Sequence, residues 1–174
     1  PLIYRISGAG LRLYYKIRHH RGHGVHSPFV YKLITNVIEE KNLYYLYKDI
    51  QELVCNEIST YSRVTKSDFL SFRLVNFFNP KKILEIGSGK GINTLCLSAP
   101  SKQIECKCFE TDKEKYEIAS RLYKNWDRDI SLHTQDFPEI NEKQDCIYIN
   151  LDNHLPDADW ITAFLFNFVN EDSF

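Results

Sequence analysis

Eleven residues, KKILEIGSGKG at 81–91, narrow the choice of fold sharply. Ile83, Leu84 and Ile86 form a short apolar run that predicts a strand. Gly87, Gly89 and Gly91 follow at alternate positions, and from Ile92 to Leu97 the apolar pattern resumes at helical spacing. The order is therefore strand, glycine turn, helix start. Such a turn brings backbone close to a ligand, because glycine carries no Cβ and tolerates positive φ. The first turn of the following helix presents unpaired N–H groups, so a nucleotide-like cofactor is the expected occupant.

Downstream spacing refines the expectation. Ile104 to Phe109 reads as a second strand, and Glu110 stands at its end. A carboxylate there can accept from both hydroxyls of a ribose, as an acid does at the same place in dinucleotide folds. A dinucleotide fingerprint G-x-G-x-x-G would, however, need a small residue at position 92, where this chain has isoleucine. Asp112 reads as the N-cap of a helix running to Trp126, with Tyr116, Ile118, Ala119, Leu122 and Tyr123 as its apolar positions. Ile130 to His133 predicts a third strand and Cys146 to Leu151 a fourth.

With Glu85 two residues before the first glycine, the turn has the form E-x-G-x-G-x-G. Here the chain resembles the class I S-adenosylmethionine (SAM) dependent methyltransferases, whose first motif has this form. The resemblance implies that Glu85, Gly87, Gly89 and Gly91 surround the amino-acid end of SAM, that Glu110 meets its ribose, and that Ser88 and Thr111 also lie at the cofactor. It implies that Asp136 accepts from the adenine amino group with Phe137 against the ring. Asp136 also reads as the start of the turn into Pro138. Asn150 is implied at the cofactor, and Asp152 and His154 are the candidates for a catalytic base. A polar strand-to-helix loop explains Asp152 and His154 as well.

The segment after the fourth strand lacks the paired prolines of base amino-methyltransferases. It looks closer to the Asp-x-Asp ending of metal-dependent O-methyltransferases, but Asn150 replaces the first acid. An amide oxygen holds a hard cation more weakly than a carboxylate, so no metal ligands are assigned. The implied activity is transfer of a methyl group from SAM to an oxygen or nitrogen acceptor, expected to be a small molecule. A noncatalytic SAM-binding or assembly module is the alternative. An NAD-dependent oxidoreductase is disfavoured by Ile92.

The predicted fold is α/β, a doubly wound and mostly parallel Rossmann-like sheet with strands in the order 3-2-1-4 and an N-terminal helical cap. Apolar stripes at 29–38, 46–58 and 69–78 predict three helices before the first strand. Thr65 or Ser67 is expected to cap the third. The expected division is a basic segment and helical cap at 1–64 and a SAM-binding domain at 65–174. Strands five to seven of the family's sheet have no counterpart, so the chain is expected to be C-terminally incomplete or completed by a second copy, which leaves room for a homodimer. Helices before the first strand often cover the acceptor pocket in that family, which makes Tyr44, Tyr45, Tyr47, Tyr61 and Arg63 candidate lining residues.

Charge is unevenly spread: residues 1–38 carry a formal +6 with no acid, which leaves −7 for the rest of a chain of net charge −1. Basic residues among tyrosines could meet nucleic acid, but a net-acidic remainder repels a polyanion, so that partner is not favoured. His19, His20, His23 and His26 are interrupted by Gly22 and Gly24 and joined by no cysteine, which speaks against zinc. A loop closing over the site is the preferred reading, with Ser27 and Pro28 starting the next helix. The odd count of five cysteines suggests reduced thiols and a cytoplasmic protein. No apolar run is long enough to span a membrane.

Overall fold

The computed structural model describes residues 26–134 and 142–150. The chain divides into two compact units, Pro1–Asn42 and Leu43–Phe174. In the first, helix α1 (Pro28–Leu33) starts as expected, with Ser27 as N-cap accepting from the Val30 N–H at 3.4 Å and Pro28 inside the first turn. The predicted stripe continues to residue 38, but the backbone does not stay α-helical. Ile34–Ile38 forms a wider π-helical turn, closed by the Glu39 N–H on the Ile34 carbonyl at 2.9 Å. The Thr35 hydroxyl donates to the Tyr31 carbonyl at 2.9 Å, and this competition with the backbone ladder, among β-branched neighbours, favours the wider turn.

The second unit contains α2 (Tyr45–Glu57), α3 (Lys66–Phe78), β1 (Lys82–Ile86), α4 (Ile92–Ser98), β2 (Glu105–Phe109), α5 (Lys113–Lys124), β3 (Asp129–His133) and β4 (Cys146–Ile149). Helix α2, expected as part of an N-terminal cap, packs within this unit. Its Ile50 and Val54 share a core with Phe72, Leu95 and Leu122, and Tyr47 stacks on Phe69 with ring centroids 4.1 Å apart. The boundary between the compact units falls between Asn42 and Leu43.

Helix α3 begins at a reciprocal capping box. The Asp68 N–H donates to Thr65 Oγ1, and the Thr65 N–H donates to Asp68 Oδ2 at 2.7 Å. It ends where Asn79 takes a left-handed conformation at φ 53°, one residue before Pro80.

The four strands are parallel and ordered β3-β2-β1-β4, the order predicted from the sequence. β1 is buried from Ile83 to Ile86 on both faces, as the central strand of a parallel sheet must be. Ile83 packs with Cys106, Cys108 and Cys146, while Leu84 and Ile86 pack with Phe109. The chain runs outward from β1 to β2 and β3 and then returns to the other side of β1 as β4. That reversal makes the carboxyl ends of β1 and β4 the switch point of the sheet, where open α/β folds bind ligands. No helix among the described residues is long and apolar enough to cross a membrane.

Candidate functional site

Each strand delivers its last residues to this one edge. Gly87 follows β1, Glu110 follows β2, His133 closes β3 and Asn150 follows β4. The Asn150 N–H donates to the Ile86 carbonyl at 2.8 Å, which extends the β1–β4 ladder past the end of β4. The glycine turn folds over the end of β2, with the Gly87 and Ser88 N–H groups both donating to the Phe109 carbonyl at 2.9 and 3.1 Å. Gly87 has φ 77°, and a Cβ there would lie 1.8 Å from the Asn150 carbonyl oxygen. Only glycine lets the two strand ends meet.

Gly89 differs. Its φ is 58°, but a Cβ built on it would meet nothing within 4 Å. Its N–H donates to Glu110 Oε2 at 2.6 Å, and Glu110 Oε1 accepts from the Asp112 N–H at 2.9 Å. The Glu110 carboxylate thus bridges the glycine turn and the start of α5, where the Asp112 side chain caps the helix by accepting from the Lys115 N–H at 3.0 Å. Open space before Gly89 with a carboxylate at its side is a cradle suited to a polar, diol-bearing ligand.

Glu85 turns the other way. It is 1% exposed, and its carboxylate accepts from Asn93 Nδ2 at 2.8 Å and from the Thr94 hydroxyl, with Cys108 Sγ at 3.8 Å. Burial raises its pKa above the usual carboxylate range, more strongly than its donors lower it. A raised folded-state pKa favours the protonated native protein. The associated stability is present below the unfolded value of about 4.5 and is lost as pH rises through the folded value. Glu85→Gln is therefore expected to melt higher than wild type at pH 7–8, with the advantage shrinking toward pH 4 in a thermal series. Rotation of the Asn93 amide, whose Oδ1 is buried without a partner, offers the acceptor that the new NH₂ needs.

Ser88 is buried, while Thr111 and Asn150 are exposed at the edge. Asp136, Phe137, Asp152 and His154 lie outside the described residues, as do His19, His20 and His23. Tyr44 and Tyr47 are half-buried and pack tilted or edge-on against Phe72. Tyr45 and Tyr61 are exposed, and Arg63 donates to the Thr60 and Ser62 carbonyls. All five cysteines are free; burial raises the four in the core, Cys146 to about 12, which leaves them protonated.

Three features of the edge were not expected from sequence: Asn93 and Thr94 on Glu85, the contact of Tyr123 with Thr94, and the stacking of His133 on Phe109 at 5.0 Å. The signal for the last was the strand register, since Phe109 pairs with His133. A hollow of about 530 Å³ lies elsewhere, lined by Lys102, Trp126 and Arg128 among others. Two of its cations are engaged: Arg128 donates to the Ser98 and Ala99 carbonyls at the end of α4, and Lys102 pairs with Asp127. Among the described residues no cluster of three His, Cys, Asp or Glu side chains could hold a metal ion.

No protein-family model matches the chain, and no curated protein matches it in sequence. Solved structures match its fold. A proposed O-methyltransferase from Klebsiella pneumoniae superposes with a TM-score of 0.56 at 14% identity, covering 77% of this chain and 64% of that one. The SAH-bound Podospora anserina methyltransferase PaMTH1 gives 0.56 at 12% identity, covering 85% and 68%. The Streptomyces achromogenes O-methyltransferase TomG, involved in tomaymycin synthesis and solved with SAM, gives 0.50 at 18%, covering 80% and 66%. The chain therefore spans about two thirds of these relatives and shares their Rossmann-like α/β fold.

Proposed function

We propose that this chain binds SAM at the carboxyl edge of its sheet and transfers the methyl group to an oxygen or nitrogen of a small-molecule acceptor. The observation that carries the reading is the bridge from Glu110 to the Gly89 N–H, set beside open space at the switch point. It is supported by the fold shared with structures that hold SAM or SAH.

Gly87, Ser88 and Gly89 would border the amino-acid end of the cofactor, and Glu110 would accept from the ribose hydroxyls. Asp136 and Phe137 are assigned to adenine from the sequence. When bound, SAM supplies an electrophilic methyl on a sulfonium. The protein's part is to orient the acceptor in line with it, which converts a bimolecular encounter into a positioned one. Asp152, or His154, takes the acceptor proton where the acceptor's pKa requires it. The small-molecule assignment is favoured over nucleic acid by the formal −7 of residues 39–174. Reduced thiols favour a cytoplasmic setting.

The test is SAH release from SAM in the presence of low-mass, RNA and protein fractions of a cell extract. Turnover is expected with the low-mass fraction. Asp152→Asn should keep SAM affinity and lower that turnover by about 100-fold, within the usual range for a general base. Undiminished turnover in Asp152→Asn removes Asp152 from the mechanism, and turnover with RNA alone overturns the acceptor class.

A further inference from the structure

Beneath the glycine turn lies a chain of polar side chains that neither the sequence pattern nor the proposed reaction uses. Tyr123, on α5, donates its hydroxyl to Thr94 Oγ1 at 2.7 Å. Thr94, on α4, is fully buried and donates in turn to Glu85 Oε2. An ionised carboxylate can only accept, and a threonine hydroxyl has one proton to give. With Glu85 ionised, the order of donation is therefore Tyr123 to Thr94 to Glu85. Asn93 holds the other carboxylate oxygen at 2.8 Å.

The same tyrosine touches the turn itself. A Cβ at Gly91 would lie 2.7 Å from the Tyr123 hydroxyl oxygen and 2.8 Å from ring carbon Cε1, so the ring is seated directly against that glycine. Burial, reinforced by the nearby Cys108 and Glu85, raises the Tyr123 phenol well above its ordinary value, which keeps it a donor at any physiological pH.

We propose that Tyr123 is a positioning residue for the glycine turn: its ring seats Gly91, and its hydroxyl, acting through Thr94, locks Glu85 between β1 and α4. Three elements, β1, α4 and α5, are tied at one point immediately under the loop. In an irregular loop of this kind the useful geometry depends on such support, because a small misplacement of a binding backbone costs affinity out of proportion to its size. The consequence for SAM rests on the reading given above, but the consequence for the turn does not.

Two measurements keep those apart. The first is hydrogen exchange at the Gly89 and Gly91 amides without ligand, in wild type and Tyr123→Phe. Phenylalanine keeps the ring against Gly91 and removes only the hydroxyl, so the fold should survive with a melting temperature within a few degrees of wild type. Exchange at the two turn amides is expected to quicken about fivefold, with the β2 and β3 amides unchanged. The second is titration with SAM and with SAH. Tyr123→Phe should weaken both by about fivefold.

Thr94→Val should weaken them at least as much, and the double variant no more than Thr94→Val alone, since both changes break one chain. Thr94→Ser, which keeps the hydroxyl, should restore affinity to within about twofold of wild type. Unchanged exchange at the turn amides in Tyr123→Phe overturns the proposal whatever the ligand data show, and so do fully additive effects of the two substitutions. Faster turn exchange with no SAM binding even in wild type would sustain the positioning role and refute the cofactor.

Discussion

Glu110→Ala is expected to weaken SAM binding by at least about 100-fold and to leave the protein folded. Each charge-assisted hydrogen bond from a ribose hydroxyl to a carboxylate contributes about 1.5–3 kcal/mol, and alanine removes both. It also removes the acceptor for the Gly89 N–H at 2.6 Å and for the Asp112 N–H at 2.9 Å, so the turn loses its tie to α5 just where the ligand is to sit. Stability suffers less, because both amides lie near the edge of the sheet, where water can replace the lost acceptor. A calorimetric titration beside a thermal melt separates the two effects. Affinity within about threefold of wild type would remove Glu110 from the ribose assignment.

Gly87→Ala should have the opposite profile and act on folding. Alanine at φ 77° pays about 1–2 kcal/mol for the left-handed backbone alone. Its Cβ would stand 1.8 Å from the Asn150 carbonyl oxygen and 2.9 Å from its carbonyl carbon. Both are backbone atoms, so no rotamer change relieves the contact, and the ends of β1 and β4 must part, losing the 2.8 Å bond from the Asn150 N–H to the Ile86 carbonyl. A loss of about 3–5 kcal/mol is expected in urea unfolding, with a melting temperature lowered by roughly 10 °C. Gly89→Ala is the matched control. Its φ of 58° carries a similar backbone cost but its Cβ meets nothing within 4 Å, so it should lose only about 1–2 kcal/mol. Equal stability of the two variants would show that the β1–β4 junction is not held by that close approach.

The sheet was legible from sequence because its strands are short apolar runs between strong punctuation. Ile83, Leu84 and Ile86 stop at a glycine, Cys106 to Phe109 stop at Glu110, and Asp112 caps the next helix as its position suggested. Thr65 and the Ser27–Pro28 pair likewise announced helix starts through side chains that act within three residues. What sequence missed acts over longer spans. Glu85 was legible as part of the motif, but its engagement by Asn93 and Thr94 depends on how α4 leaves the turn. Tyr123 fell on the apolar stripe of α5 and was read as core; its hydroxyl's partner is 29 residues away. Periodicity assigns a residue to a face and says nothing of what its polar tip meets. Likewise the rings of Tyr44 and Tyr47 meet Phe72 and Phe69 on the next helix, contacts that their spacing along the chain does not reveal. The first helix widens at Ile34–Ile38, where the Thr35 hydroxyl donates to the Tyr31 carbonyl, a contact that a count of apolar positions does not see.

The most direct test of the central claim is calorimetric titration of the purified chain with SAM, SAH and NAD under one set of conditions. Saturable binding of SAM and SAH with one site per chain, and none of NAD, is the result the account predicts. Binding of NAD, or of none of the three, would contradict it.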